Sequence, residues 1–276
     1  MFGVGGSQST DLGLGAEPQT THQVMTLPER MICGLQPVRE AIRAHGSKLA
    51  RVLVESDPHE SLSMTALVRF ASDHGASVER VPRAALDRLA RGVRHQGTIA
   101  FAPELHITHI EDLALGERAL VVALDEIQDP QNFGAVIRSS VAMGAVAIIW
   151  PEHRAAPLSL ATFRASAGAV EHATLCRVPA LPPALQSLRA RGLAVIGLDA
   201  GGESTLDRVN LTSRAVLVVG AEGKGLRRTV KHACDVLARV PMPGPIASLN
   251  ASATVAMALY EAVRQRLPTL DSPGSA

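Results

Sequence analysis

Between residues 119 and 223 the chain carries five almost continuously apolar runs, "ALVVALDEI", "AVAIIWPE", "ATLCRVP", "LAVIGLDA" and "AVLVVGAEG", each followed by a turn or a helical pattern. A strand with one face in water needs a polar residue at every second position, and these runs do not have that alternation. They are expected to be covered on both faces, which means a parallel sheet with helices packed above and below it. The region therefore reads as a doubly wound α/β domain, whose ligands gather at the carboxyl ends of the strands. Composition agrees, because 46% of the residues are hydrophobic but only 3% aromatic, leaving Ala, Val, Leu and Ile to build the core.

A smaller α/β unit precedes this one. From Met31 the order is helix "LQPVREAIRAH", strand "LARVLVES", helix "SLSMTALVRFASDHG", strand "ASVERV", helix "RAALDRLAR" and strand "GTIAFAP". The resulting division is a disordered arm over 1–29, a small domain over 30–104, a linker over 105–116, the large domain over 117–267 and a flexible tail over 268–276.

Formal net charge is +1, so the chain is not a strongly basic nucleic-acid coater. Locally the balance differs. Residues 30–104 hold 11 Lys and Arg against 8 acids, net +3, and residues 117–267 hold 16 against 12, net +4. Within "RVPRAALDRLARGVRHQG", Arg80, Arg83, Arg88, Arg91 and Arg94 either meet a phosphate backbone or form a solvated helix face. Cys33, Cys176 and Cys234 are far apart, with neither a disulfide framework nor a metal-type spacing, so no metal is expected. No apolar stretch has the length of a membrane span, and the N-terminus lacks the order of a signal peptide. The expectation is a cytoplasmic protein with no membrane association.

Three stretches carry candidate chemistry. In "DPQNFGAVIRSS", Asp129 and Pro130 predict a helix start, followed by Asn132 and by Arg138 among small or apolar neighbours. A guanidinium on such a face needs an anionic or hydrogen-bonding partner. The second stretch, "VLVVGAEGKGLRR", is a strand entering a glycine-rich turn. It is one residue too short for a P-loop, has Gly225 where Ser or Thr would hold magnesium, and has Arg228 in place of the third glycine of a dinucleotide fingerprint. Glu222 would repel a pyrophosphate, so a phosphate-free, even cationic, ligand fits better. In the third, "RVPMPGPIASLNASATVAMALYEAVRQR", three prolines stiffen a loop before Ser248 or Asn250 caps a helix running to Arg266.

Taken in order, "LDEIQDPQNFGAVIRSSVAMGA", "VVGAEGKGLRR" and "VPMPGPIASLNASATVAMALYEAVRQR" resemble the three motifs of the SpoU, or TrmH, branch of the SPOUT RNA methyltransferases. "ICGLQPVREAIRA" resembles the opening of the L30e-like RNA-binding domain that precedes the catalytic domain in that group. "SAGAVEH", residues 166–172, is similar to the members that methylate a guanosine 2′-hydroxyl in 23S ribosomal RNA. The resemblance implies a trefoil-knotted SPOUT methyltransferase domain, a homodimer formed through it, and S-adenosylmethionine as cofactor. It implies cofactor contacts at Gly220, Val240, Met242 and Leu249, and functional polar residues at Asn132, Arg138, Glu222 and Asn250.

Methyl transfer to a ribose hydroxyl is an in-line displacement that demands alignment and help in losing a proton. Arg138 is read as holding a phosphate bidentately and stabilising the forming alkoxide; a guanidinium pKa above about 12 argues against its acting as a literal base. Asn132 can donate and accept hydrogen bonds, and Glu222 is expected to orient Arg138 or Asn250. The leading reading is a ribose 2′-O-methyltransferase of 23S rRNA, with RNA and not DNA as partner. Transfer RNA as substrate and a non-catalytic RNA-binding or ribosome-assembly role are the alternatives. A nicotinamide-dependent oxidoreductase fails on the absent glycine fingerprint.

Overall fold

The computed structural model describes residues 1, 29–57, 61–245 and 248–267. The arm expected over 1–29 and the tail over 268–276 lie outside the described residues, apart from Met1 and from Glu29, which opens a strand.

The small domain runs β1 (Glu29–Cys33), α1 (Leu35–His45), β2 (Arg51–Glu55), α2 (Leu62–Asp73), β3 (Val78–Val81), α3 (Arg83–Ala90) and β4 (Thr98–Pro103). Its four strands lie in the order β1-β4-β2-β3, with only β2 and β3 parallel. Strand β1 is absent from the sequence reading. It is five residues long and pairs with a strand about 70 residues away, a partner that local periodicity does not reveal.

The large domain continues with β5 (Leu120–Asp125), α4 (Pro130–Ala142), β6 (Ala147–Pro151), α5 (Leu160–Ala165), β7 (Leu175–Val178) and α6 (Leu181–Ala190). It is completed by β8 (Ala194–Leu198), β9 (Ser204–Thr205), β10 (Ala215–Gly220), α7 (Arg228–Lys231), β11 (Val236–Arg239) and α8 (Ala251–Arg266). All seven strands are parallel, in the order β7-β6-β5-β10-β8-β11-β9. Alternate residues of each strand serve opposite faces. Leu120, Val122 and Leu124 pack with α4 and α8, whereas Val121 and Ala123 pack with α6 and α7. This is the two-sided burial that the apolar runs require. Strands β9 and β11, of two and four residues, are too short to stand out in sequence.

Residues 105–116, expected as a linker, are tied to the large domain. Ile107 bridges to Leu175 of β7, Arg191 donates to the carbonyls of Ile110 and Leu113 at 2.6 Å each, and the Leu113 side chain is buried.

The two domains are joined through the "SAGAVEH" segment. Glu171, whose side chain is 1% exposed, accepts a forked pair of hydrogen bonds from Arg30 at 3.0 and 2.7 Å and meets His45 Nε2 at 2.8 Å. Burial pushes the Glu171 carboxyl up, but hydrogen bonds from His45 and Arg30 and the Arg30 charge outweigh it and hold the group below the usual carboxylate range. His172 pairs with Glu40 of α1 at 2.9 Å. Gly168 sits at φ 88°, and a Cβ there would lie 2.9 Å from Pro37 Cα, so the close approach of α1 needs glycine. The segment that carries the subgroup resemblance thus docks the small domain on the large one.

Candidate active site

The site lies at the carboxyl ends of β5, β8, β10 and β11, where the sheet leaves its loops free. Asp125 ends β5, is fully buried, and anchors the turn that follows β10. It accepts from the Arg227 backbone N–H at 2.8 Å and pairs with the Arg227 guanidinium at 2.7 Å. Between the two ends of that turn the Gly225 N–H donates to the Ala221 carbonyl at 2.8 Å. Across from it, Asp199 after β8 accepts from Gly201 N–H at 3.0 Å and pairs with Lys231 at 2.6 Å. Sequence reading found neither Asp125, Arg227, Asp199 nor Lys231. Asp125 is the last residue of an apolar run, and only the parallel register Gly220↔Asp125 places it under the turn.

A cavity of about 310 Å³ opens between this turn and the proline-rich loop after β11. Gly220, Val240, Met242 and Leu249, the four expected cofactor contacts, all line it. The remaining wall is mixed, with apolar Leu198 and Val219 beside the charged Asp199, Glu222, Lys224 and Lys231, and Leu249 is a large hydrophobic residue left 38% exposed. The volume falls at the lower end of small-molecule sites. Gly220 sets the shape, because a Cβ there would stand 2.1 Å from Gly225 C and O.

At the rim, hydrogen bonding fixes the direction of each amide. Asn250 caps α8 through Oδ1, which accepts from Ser252 N–H at 2.8 Å and Ala253 N–H at 3.4 Å. Its Nδ2 is therefore left to donate to Asn132 Oδ1, at 2.7 Å. That in turn aims Asn132 Nδ2 at Glu222 Oε2, at 3.5 Å. Asn132 is itself held at the start of α4, where Asp129 accepts from the Gln131 and Asn132 N–H groups. The helix-cap reading of "SLNAS" and the site reading are both satisfied by one side chain.

Arg138 stands apart. It is exposed and is not among the residues lining the cavity; it makes no hydrogen bond or ion pair with any described residue. Six residues on a helix are about 9 Å and about 240° of rotation, so Arg138 and Asn132 do not share a face. Of the two partners expected for Glu222, Arg138 or Asn250, the structure links it to Asn250, through Asn132, and not to Arg138. Glu222 is exposed on the turn and meets Asn132, while Asn250 joins the same chain from the far side. The cysteines take no part: burial pushes Cys176 up to about 11 and Cys234 up to about 12, with Glu111 and Asp235 adding to the effect.

With this geometry in place, family comparison decides the assignment. The SpoU rRNA Methylase family matches residues 119–260, which is 142 of the 276 residues. The chain belongs to the SpoU methylase family. A second family, RNA 2'-O ribose methyltransferase substrate binding, matches residues 31–108. A relative from Mycobacterium sp. strain KMS, named as an uncharacterized tRNA/rRNA methyltransferase, is 40% identical over 86% of this chain and 76% of its own. Among solved structures, the SpoU methyltransferase AviRb from Streptomyces viridochromogenes, crystallised with the cofactor AdoMet, superposes with a TM-score of 0.70. It is 26% identical and covers 86% of this chain and 90% of its own. The AdoMet-bound rRNA methyltransferase from Sinorhizobium meliloti gives the same TM-score and identity, with 87% and 88% covered. This SpoU methylase is therefore an α/β RNA methyltransferase with a substrate-binding domain ahead of its catalytic domain. Among the described residues no helix is long and apolar enough to cross a membrane.

Gly220 offers a direct test of the cavity. Overpacking of a tight contact costs about 1–3 kcal/mol, so Gly220→Ala is expected to displace the turn, lowering thermal stability and cofactor affinity together. A larger valine should do more, disturbing the fold as well as the cofactor site. Calorimetry showing unchanged cofactor affinity in Gly220→Ala would take the turn out of the site.

Proposed function

We propose that this SpoU methylase transfers a methyl group from S-adenosylmethionine to a ribose 2′-hydroxyl of RNA, with a guanosine of 23S rRNA as the target. The observation that carries the reading is the cavity lined by Gly220, Val240, Met242 and Leu249, with the Asn250–Asn132–Glu222 chain at its rim. The apolar side chains Leu198, Val219, Val240, Met242 and Leu249 suit an adenosyl group, and the Glu222 carboxylate suits a sulfonium. When bound, the cofactor supplies an electrophilic methyl group.

The protein's own residues then have three tasks. The glycine turn and Val240, Met242 and Leu249 bind the cofactor and exclude water. Asn250, its amide oriented by the helix cap, and Asn132, oriented through Asn250, each keep a second side-chain N–H to offer the incoming ribose. Arg138, unpaired and outside the cavity wall, grips a phosphate of the bound RNA and stabilises negative charge as the hydroxyl loses its proton. The family's substrate-binding model and the 2′-O wording of its description support ribose as the methyl acceptor. The "SAGAVEH" resemblance supports 23S rRNA, and the relatives' tRNA/rRNA names keep tRNA as the runner-up.

The test is incubation with methyl-labelled S-adenosylmethionine and total RNA from a strain lacking the enzyme, followed by nucleoside mapping. 2′-O-methylguanosine in 23S rRNA is expected. Label confined to tRNA would select the runner-up, and label on a base would overturn ribose methylation.

The proposal includes a homodimer through the large domain. Met257 and Tyr260 of α8 are 45% and 60% exposed and, with Val240 and Pro241, line an open apolar groove next to the cofactor loop. Light scattering of the full chain at micromolar concentration is expected to give twice the monomer mass; the mass of one chain would contradict it.

A further inference from the structure

A second cavity, of about 200 Å³, lies between the two domains and outside the site described above. It is lined by Cys33, Gly34, Pro37, Arg94 and Gln96 of the small domain and by Arg164 and Ala167 of the large one. Neither arginine has a hydrogen bond or ion pair with a described residue, although nearby Arg30 and Arg43 are each paired with a glutamate. No carboxylate lines the cavity, and an exposed arginine from each domain borders it. Gln96 adds a donor: its Oε1 accepts the Leu35 N–H at 3.2 Å, which leaves the side-chain NH₂ free to donate.

The backbone is unusual here as well. Gln96 and Ala167, one from each domain, hold φ of 52° and 50°, and Gly34 holds 104°. Left-handed conformations at non-glycine residues cost energy, and they gather where the surrounding structure holds groups for binding.

We propose that this cleft seats one backbone phosphate of the RNA substrate, gripped between Arg94 and Arg164. The inference rests on the RNA methyltransferase reading and names a contact that reading leaves open. Forked guanidinium groups match phosphate oxygens in pairs, and no aromatic side chain lines the cleft. A phosphate bound across the domain boundary would also fix the RNA relative to the catalytic domain.

The experiment is filter binding of the full chain to in vitro transcribed 23S rRNA over a salt series, with Arg94→Ala, Arg164→Ala and the double variant. Each neutralised phosphate contributes about 0.7–0.9 to the slope of log affinity against log salt. The double variant is expected to lower the slope by roughly that amount once, not twice, and to weaken binding roughly five- to tenfold at about 0.1 M salt. Cofactor affinity and melting temperature should stay at wild-type values. Should the alanine variants melt early, Arg94→Lys and Arg164→Lys carry the test, since they keep the charge and lose the fork; both are expected to weaken binding. Unchanged slope and affinity in folded variants would overturn the proposal. A slope lowered twice over would also overturn it, by showing two separate phosphates. Inorganic phosphate at matched ionic strength separates the sources: saturable phosphate binding lost in the variants while RNA affinity is untouched would assign the cleft to a free anion and overturn the RNA contact. If wild-type protein binds neither 23S rRNA nor tRNA transcripts above background, both the RNA reading and this seat fall. If it binds RNA and only the variants are indifferent, the seat falls alone.

Discussion

Arg138→Ala and Arg138→Lys are each expected to lose methyl transfer by on the order of a hundredfold or more, the scale for removing one electrostatic donor from a developing oxyanion. Folding should be unaffected, because the side chain is exposed and makes no hydrogen bond or ion pair with a described residue. Cofactor affinity should also hold, since Arg138 is not part of the cavity wall. The lysine variant decides between mechanisms. A planar fork can hold two phosphate oxygens while a lysine offers a point charge, so a role in positioning predicts no rescue. Near wild-type turnover of Arg138→Lys on saturating RNA would sink the proposed role. The geometry already excludes one alternative, that Arg138 is the structural partner of Glu222, because Glu222 is exposed and turned to Asn132.

Arg227→Leu is expected to cost about 3 kcal/mol of stability. The substitution leaves the Asp125 carboxylate, with no exposure to solvent, without its guanidinium. We take the low end of the range for a broken buried pair because the Arg227 backbone N–H remains on Asp125 and the arginine itself is 37% exposed. For a domain of this size the loss corresponds to roughly ten degrees in melting temperature. Pairing the change with Asp125→Leu removes the stranded charge and should recover much of the stability. A thermal melt of Arg227→Leu indistinguishable from wild type at neutral pH would show that the pair does not hold the turn. Cofactor affinity should fall in parallel, because the turn between Gly220 and Arg227 walls the cavity.

Much of the architecture was legible in the chain. Continuous apolar runs imposed burial on both faces, and β5, β6, β7, β8 and β10 lie within them. Asp129-Pro130 marked the start of α4, and the "LQPVREAIRAH" pattern gave α1 with its observed bounds. These are local signals, carried by caps and by periodicity within one element. Strands β1, β9 and β11 were not seen, because no continuous apolar run marks them and they owe their existence to distant partners.

For the site, the sequence by itself named the residues whose chemistry is written in motifs: Asn132, Arg138, Gly220, Glu222, Val240, Met242, Leu249 and Asn250. It could say that a glycine turn unsuited to phosphate follows a strand. Only the tertiary structure decided which of these meet. It joined Asn250, Asn132 and Glu222 into one directed chain, left Arg138 outside, and put Asp125 and Arg227 beneath the turn as its support. The physical reason is that side-chain identity and helix caps are properties of a few consecutive residues. A hydrogen bond between residues 118 positions apart depends on strand order and register, which are settled when the whole sheet packs.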